Sequence, residues 1–178
     1  NILTTSKMIL NNSMDSSIPI THMYTDKSGH TRFRMMKLPL EPKTGLGSVG
    51  HFSSLFVNKI LNDNSGDIKM QFAVTPVPEI VDGEGPKLAH TAPRRQLVIT
   101  LDGYLEFKSC DVDTLDDEHR IIIAKGMILL ADDLEGAGHI WSFLKDEKGQ
   151  MRPWVRCYVH LGEEYEHFMS MLDGDINA

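Results

Sequence analysis

The stretch Lys87-Leu-Ala-His90-Thr-Ala-Pro-Arg94-Arg95-Gln96-Leu-Val-Ile-Thr-Leu-Asp-Gly103-Tyr-Leu-Glu-Phe-Lys108 decides how this chain is read. From Gln96 to Leu101 it reads as a β-strand, and Asp102-Gly103 is a dipeptide that closes tight hairpins. Residues two apart on a strand share a face. His90, Ala92, Arg94, Gln96, Val98 and Thr100 therefore point one way, and Arg95, Leu97, Ile99 and Leu101 the other. Side chains with ligand capacity thus collect on one face of a core strand, and an active or binding site is expected there. Pro93 can insert a bulge and shift the register, which leaves open whether Arg94 or Arg95 faces inward.

Downstream, 104–108, 120–124, 127–131, 138–144 and 153–161 each read as a short β-rich run, with Lys125-Gly126 as a second hairpin turn and 111–118 as an acidic loop. Upstream, 20–25 and 32–38 form a hairpin around the polar turn Asp26-Lys-Ser-Gly29, and 68–74 alternates as a strand. Two loops, 39–50 and 75–87, are rich in Pro and Gly. A short helix over 52–60 and a turn at 62–66 fall between them. Tyr165, Phe168, Met169 and Leu172 recur at helical spacing and predict a helix over 163–172. Many short strands at this spacing predict an all-β antiparallel sandwich or barrel with one or two short helices. Residues 1–18 read as an N-terminal tail and 19–178 as a single domain.

The 178 residues carry a formal net charge of -7, which disfavours nucleic acid as a partner. No apolar run is long enough to span a membrane. Two dispersed cysteines, Cys110 and Cys157, suggest a reduced, cytoplasmic protein.

The quoted stretch, with Lys-Gly126-Met-Ile-Leu-Leu-Ala-Asp-Asp and Glu-Gly-Ala-Gly138-His139, resembles the two motifs of the cupin superfamily, and its small single-domain members in particular. In that family the first motif supplies two histidines one residue apart, a glutamate and a hairpin glycine; the second supplies a glycine and a further histidine. His90, Gly103, Gly126 and His139 occupy such positions. Ala92 replaces the second histidine, Gln96 the glutamate and Asp132 a proline, and His139 falls two residues late. The resemblance covers about residues 70–161. It implies a cupin-like double-stranded β-helix, or jelly-roll barrel. The outward Leu97, Ile99 and Leu101 require cover, either from the N-terminal hairpin or from a second subunit, and the resemblance favours the second, a homodimer.

It further implies a divalent metal held by His90, His139 and the carbonyl oxygen of Gln96, with open positions for a small organic substrate. Imidazole suits Fe, Zn, Ni and Cu alike, so no identity follows. The leading expectation is a metalloenzyme of the oxygenase, isomerase or lyase class. The other is a metal-free protein that binds a small anionic ligand or serves a structural role. In that reading Arg94 grips a carboxylate, Gln96 adds a polar contact, and Trp141 and Phe143 bury the apolar part. An ion pair of Arg94 or Arg95 with Asp132 or Asp133 is the plainer alternative, and either aspartate could serve as a base. His119, His160 and His167 read as structural or exposed, and Tyr104 and Tyr158 as core or interface residues.

Overall fold

A computed structural model describes residues 17–39, 70–77, 89–110, 116 and 118–172. The tail to residue 16, the elements placed between 40 and 66, and most of the loops at 75–87 and 111–118 lie outside the described residues. Among the described residues nine strands run in chain order as β1 Ser17–Thr25, β2 Thr31–Pro39, β3 Met70–Thr75, β4 Gln96–Asp102, β5 Tyr104–Ser109, β6 Arg120–Ala124, β7 Ile128–Asp132, β8 His139–Phe143 and β9 Trp154–His160. A 3-10 turn, Gly162–Glu164, leads into one helix, α1 Tyr165–Met171. The first strand thus takes in Ser17 and Ile18, which the sequence assigned to the tail.

The strands form a six-stranded sheet, β2-β1-β7-β4-β9-β3, and a three-stranded sheet, β6-β5-β8. β1 and β7 are parallel, while the other ladders are antiparallel. The all-β class is as expected, and the two sheets do not close into a barrel among the described residues. The β1–β2 hairpin is also as expected, with Asp26 Oδ1 accepting from the Ser28 and His30 amides at 2.8 and 3.1 Å.

Two expected hairpins are corners instead. β4 is hydrogen-bonded to β7 on one edge and β9 on the other, so β5 has no edge of it to join and crosses to the second sheet at Gly103. Gly103 has a φ of +121°, and a Cβ there would stand 3.1 Å from the Trp154 Cα. Lys125-Gly126 likewise carries the chain from β6 back to β7 in the larger sheet, and the Gly126 amide donates to the Thr100 carbonyl at 2.8 Å.

Alternation along β4 sends Leu97 and Val98 into two separate cores. Leu97 joins Ile20, Leu130, Val159, the helix residues Tyr165 and Phe168, and Leu172 just after the helix, on the outer face. Val98 joins Met23, Phe33, Leu105, Phe107 and Ile123 between the sheets. The cover needed by Leu97 and Ile99 therefore comes from within the chain, with Phe168 fully buried at its centre, while Leu101 stays exposed. Truncating Phe168 removes a ring from a site with no access to water, and Phe168→Ala is expected to cost about 3–5 kcal/mol of unfolding free energy. A urea titration showing a loss under about 1 kcal/mol would mean that α1 is not what seals this face.

Candidate functional site

Between the two sheets lies a cavity of about 530 Å³, within the range usual for small-molecule sites. β4 contributes Gln96 and Val98; β7, Leu129 and Ala131; β8, His139 and Trp141; and β9, Trp154, Arg156, Tyr158 and His160. His90, Ala92 and Arg94 complete the wall ahead of β4. The face predicted from two-residue spacing is thus the cavity face from His90 through Val98. It is Arg94 that lines the cavity, whereas Arg95 turns to the other side of the sheet and donates from Nε to Asp132 Oδ1 at 2.8 Å.

His90 and His139 meet through their backbones, each amide donating to the other's carbonyl at 3.0 and 2.9 Å, which sets their rings 4.5 Å apart. The approach depends on Gly138, whose φ is +75°, since a Cβ there would stand 2.5 Å from the His90 carbonyl oxygen. His139 is buried, and its Nδ1 lies 2.6 Å from Asp133 Oδ2. Asp133 is wholly buried and also accepts from Thr31 Oγ1 at 3.1 Å and the Ala92 amide at 3.3 Å. A carboxylate only accepts, so His139 Nδ1 carries the proton and the Nε2 edge is the one left to the cavity. An imidazole backed by a carboxylate in this way can take or return a proton at Nε2.

Gln96 is 7% exposed, faces the cavity, and its side-chain amide has no protein partner among the described residues. A buried amide without a partner costs free energy that a bound polar group would recover. Phe143 is not part of the lining; it stands behind Trp141, with ring centroids 5.5 Å apart at 82°.

β9 supplies the residues that sequence reasoning missed. Arg156 stacks 3.9 Å above the Trp154 ring, its Nε donates to the Tyr158 hydroxyl at 2.5 Å, and its Nη1 donates to Thr75 Oγ1 at 2.8 Å. His160 Nδ1 accepts from Arg94 Nη1 at 3.4 Å. Tyr158 packs against the core between the sheets, as expected, and also lines the cavity; His160, expected to be structural or exposed, lines it too. The signal was present in Trp154-x-Arg156-x-Tyr158-x-His160, which alternates against Val155, Cys157 and Val159.

His90, His139 and Gln96 share the cavity wall with two guanidiniums, and among the described residues no carboxylate lines it. Among the described residues no group of three or more His, Cys, Asp and Glu side chains is placed to hold a metal ion. A divalent cation held here would find no carboxylate among the described lining residues to offset its charge, and would share the cavity with Arg94 and Arg156. A second cavity of about 470 Å³, on the helix side, has the opposite character. There Asp132 accepts from Arg95, His22 and the Tyr165 hydroxyl, Arg34 donates to His22 Nδ1 at 3.1 Å, and two carboxylates, Asp132 and Glu135, line the cavity beside the two arginines.

Compared with protein-family models, with curated proteins and with solved structures, the chain matches none of them.

Burial would raise the Asp132 carboxyl, but hydrogen bonds from His22, Tyr165 and Arg95 outweigh it and hold the group below its ordinary value. A carboxyl lowered on folding stabilises fully above its unfolded value of 3.8, and that contribution is lost as pH falls through the lowered folded value. The stability gap between the wild type and Asp132→Asn is expected to be constant near neutrality and to close below pH 3.8. A gap in urea midpoints that does not vary with pH would refute the charge-based account of this network.

Proposed function

We propose that the protein is a cupin-like jelly roll whose central cavity binds a small organic anion without a metal. The strand path supports the fold, passing from the larger sheet (β4) to the smaller (β5, β6), back (β7), across (β8) and back again (β9). One observation carries the ligand reading: Arg94 and Arg156 both line the cavity, no carboxylate lines it, and neither guanidinium has a carboxylate partner among the described residues. In a chain of net charge -7 such a concentration of unmatched positive charge points to an anionic occupant. Trp141, Trp154 and Phe107 offer walls for its apolar part, and the Gln96 amide a contact for its hydroxyl or carbonyl oxygen.

Both tryptophans of the chain line the cavity, so intrinsic fluorescence reports its occupancy directly. Hexanoate, benzoate and adipate are to be compared with neutral hexanamide. At least one acid is expected to raise the melting temperature and shift the emission where the amide does neither, with Arg94→Gln reducing the effect. Acids that act no better than hexanamide would end this reading.

The second reading, a metalloenzyme acting on a small organic substrate, rests on the closeness of the His90 and His139 rings beside Gln96. Metal analysis of protein purified without an affinity tag separates the two. One equivalent of metal, lost in His90→Ala and His139→Ala, would favour the enzyme over the metal-free pocket.

A further inference from the structure

The two unmatched guanidiniums are anchored at different places on one strand. Arg94 is tied to His160, the last residue of β9, by the 3.4 Å contact between its Nη1 and the imidazole Nδ1. Arg156 lies four residues earlier on that strand, about 13 Å away between Cα atoms at ~3.3 Å per residue. The side chains at both positions face the cavity. Gln96 stands opposite His160, Val98 opposite Tyr158, and Thr100 opposite Arg156, so Tyr158 occupies the stretch between the two anchors.

Each guanidinium is partly committed and partly open. Arg156 lies 3.9 Å over the Trp154 ring, with Nε given to Tyr158 and Nη1 to Thr75 and to the Trp154 carbonyl, while its Nη2 has no protein partner among the described residues. Arg94 commits only Nη1, to His160. A guanidinium fixed by its neighbours with donors left over has lost little freedom to lose on binding, which favours a charged acceptor at that point. One monoanion bound at either anchor leaves the other guanidinium's open donors to water, and at Arg94, which is exposed, a second carboxylate would replace that water.

We infer that the ligand carries two carboxylates, one taken by Arg94 at the His160 end and the other by Arg156, with the connecting chain lying along Tyr158. The inference rests on the anion reading above and deepens it to a substrate class. A diacid neutralises both cations, and the buried Gln96 amide, beside the Arg94 end, meets an oxygen borne by the connecting chain.

Affinities are to be read from tryptophan fluorescence and melting temperature for succinate, glutarate, adipate and pimelate, each beside the monoacid of equal length. The best diacid is expected to bind at least about tenfold more tightly than its matched monoacid, as befits one added charge-assisted contact. Arg94→Gln and Arg156→Gln should each reduce it to the affinity of the monoacid. Monoacids that equal the diacids, while either arginine variant still weakens binding, would overturn the two-ended inference and leave the anion reading standing. Acids that bind no better than hexanamide would overturn both. Arg156 stacks on an aromatic ring, so its variant is compared first by unliganded melting temperature; the exposed Arg94 carries the test alone if the Arg156 variant does not fold.

Discussion

The structure turns on one buried carboxylate. Asp133, wholly out of water, is satisfied by Thr31 at the start of β2, by the backbone of Ala92 ahead of β4, and by His139 at the start of β8. A buried charge is tolerable only when such partners are in place, so three segments distant in sequence must converge on the end of β7. Their convergence draws the cavity wall together. His139 is aimed by its bond to the aspartate, and His90 is brought alongside by the backbone bridge that the bare Gly138 allows.

Electrostatics divides the molecule into two regimes. On the helix side, Arg95, His22 and Tyr165 converge on Asp132, and Arg95 lies 4.2 Å over the Tyr165 ring. Burial and the aspartate together push the Tyr165 hydroxyl well above its usual range, as befits a donor that stays protonated. Between the sheets the balance is left open. Arg94 and Arg156 meet imidazole, hydroxyl and aromatic groups, and among the described lining residues no carboxylate offsets them, in a chain that is acidic as a whole.

Much of this was legible in the sequence because strand parity is a local property. The spacing of His90, Ala92, Arg94, Gln96 and Val98 marks the cavity face, and the outward set Leu97, Ile99 and Leu101 calls for cover, which the chain itself supplies to the first two. What stayed hidden depends on which strands are neighbours. β9 runs beside β4 although more than fifty residues separate them, and nothing local declares that Arg156, Tyr158 and His160 share the face of Gln96. The same limit turned two corners into expected hairpins: Asp102-Gly103 suits a tight turn, but whether the next strand pairs depends on edges already filled by β7 and β9. β3 shows parity without polarity. Gln71 lines the cavity while remaining exposed, and Met70, Phe72 and Val74 on the other face of this strand are exposed as well.

Asp132 and Asp133 are adjacent, yet one carboxylate serves the helix side and the other the cavity. Their strand is held on one edge by β1 and on the other by β4. Sliding β7 by a single residue would let one aspartate take the other's slot and leave the remaining slot to Ala131 or Leu134, so either Arg95 or His139 would lose its carboxylate. Only the native register fills both slots, and the adjacent pair therefore marks that register from two sides of the sheet.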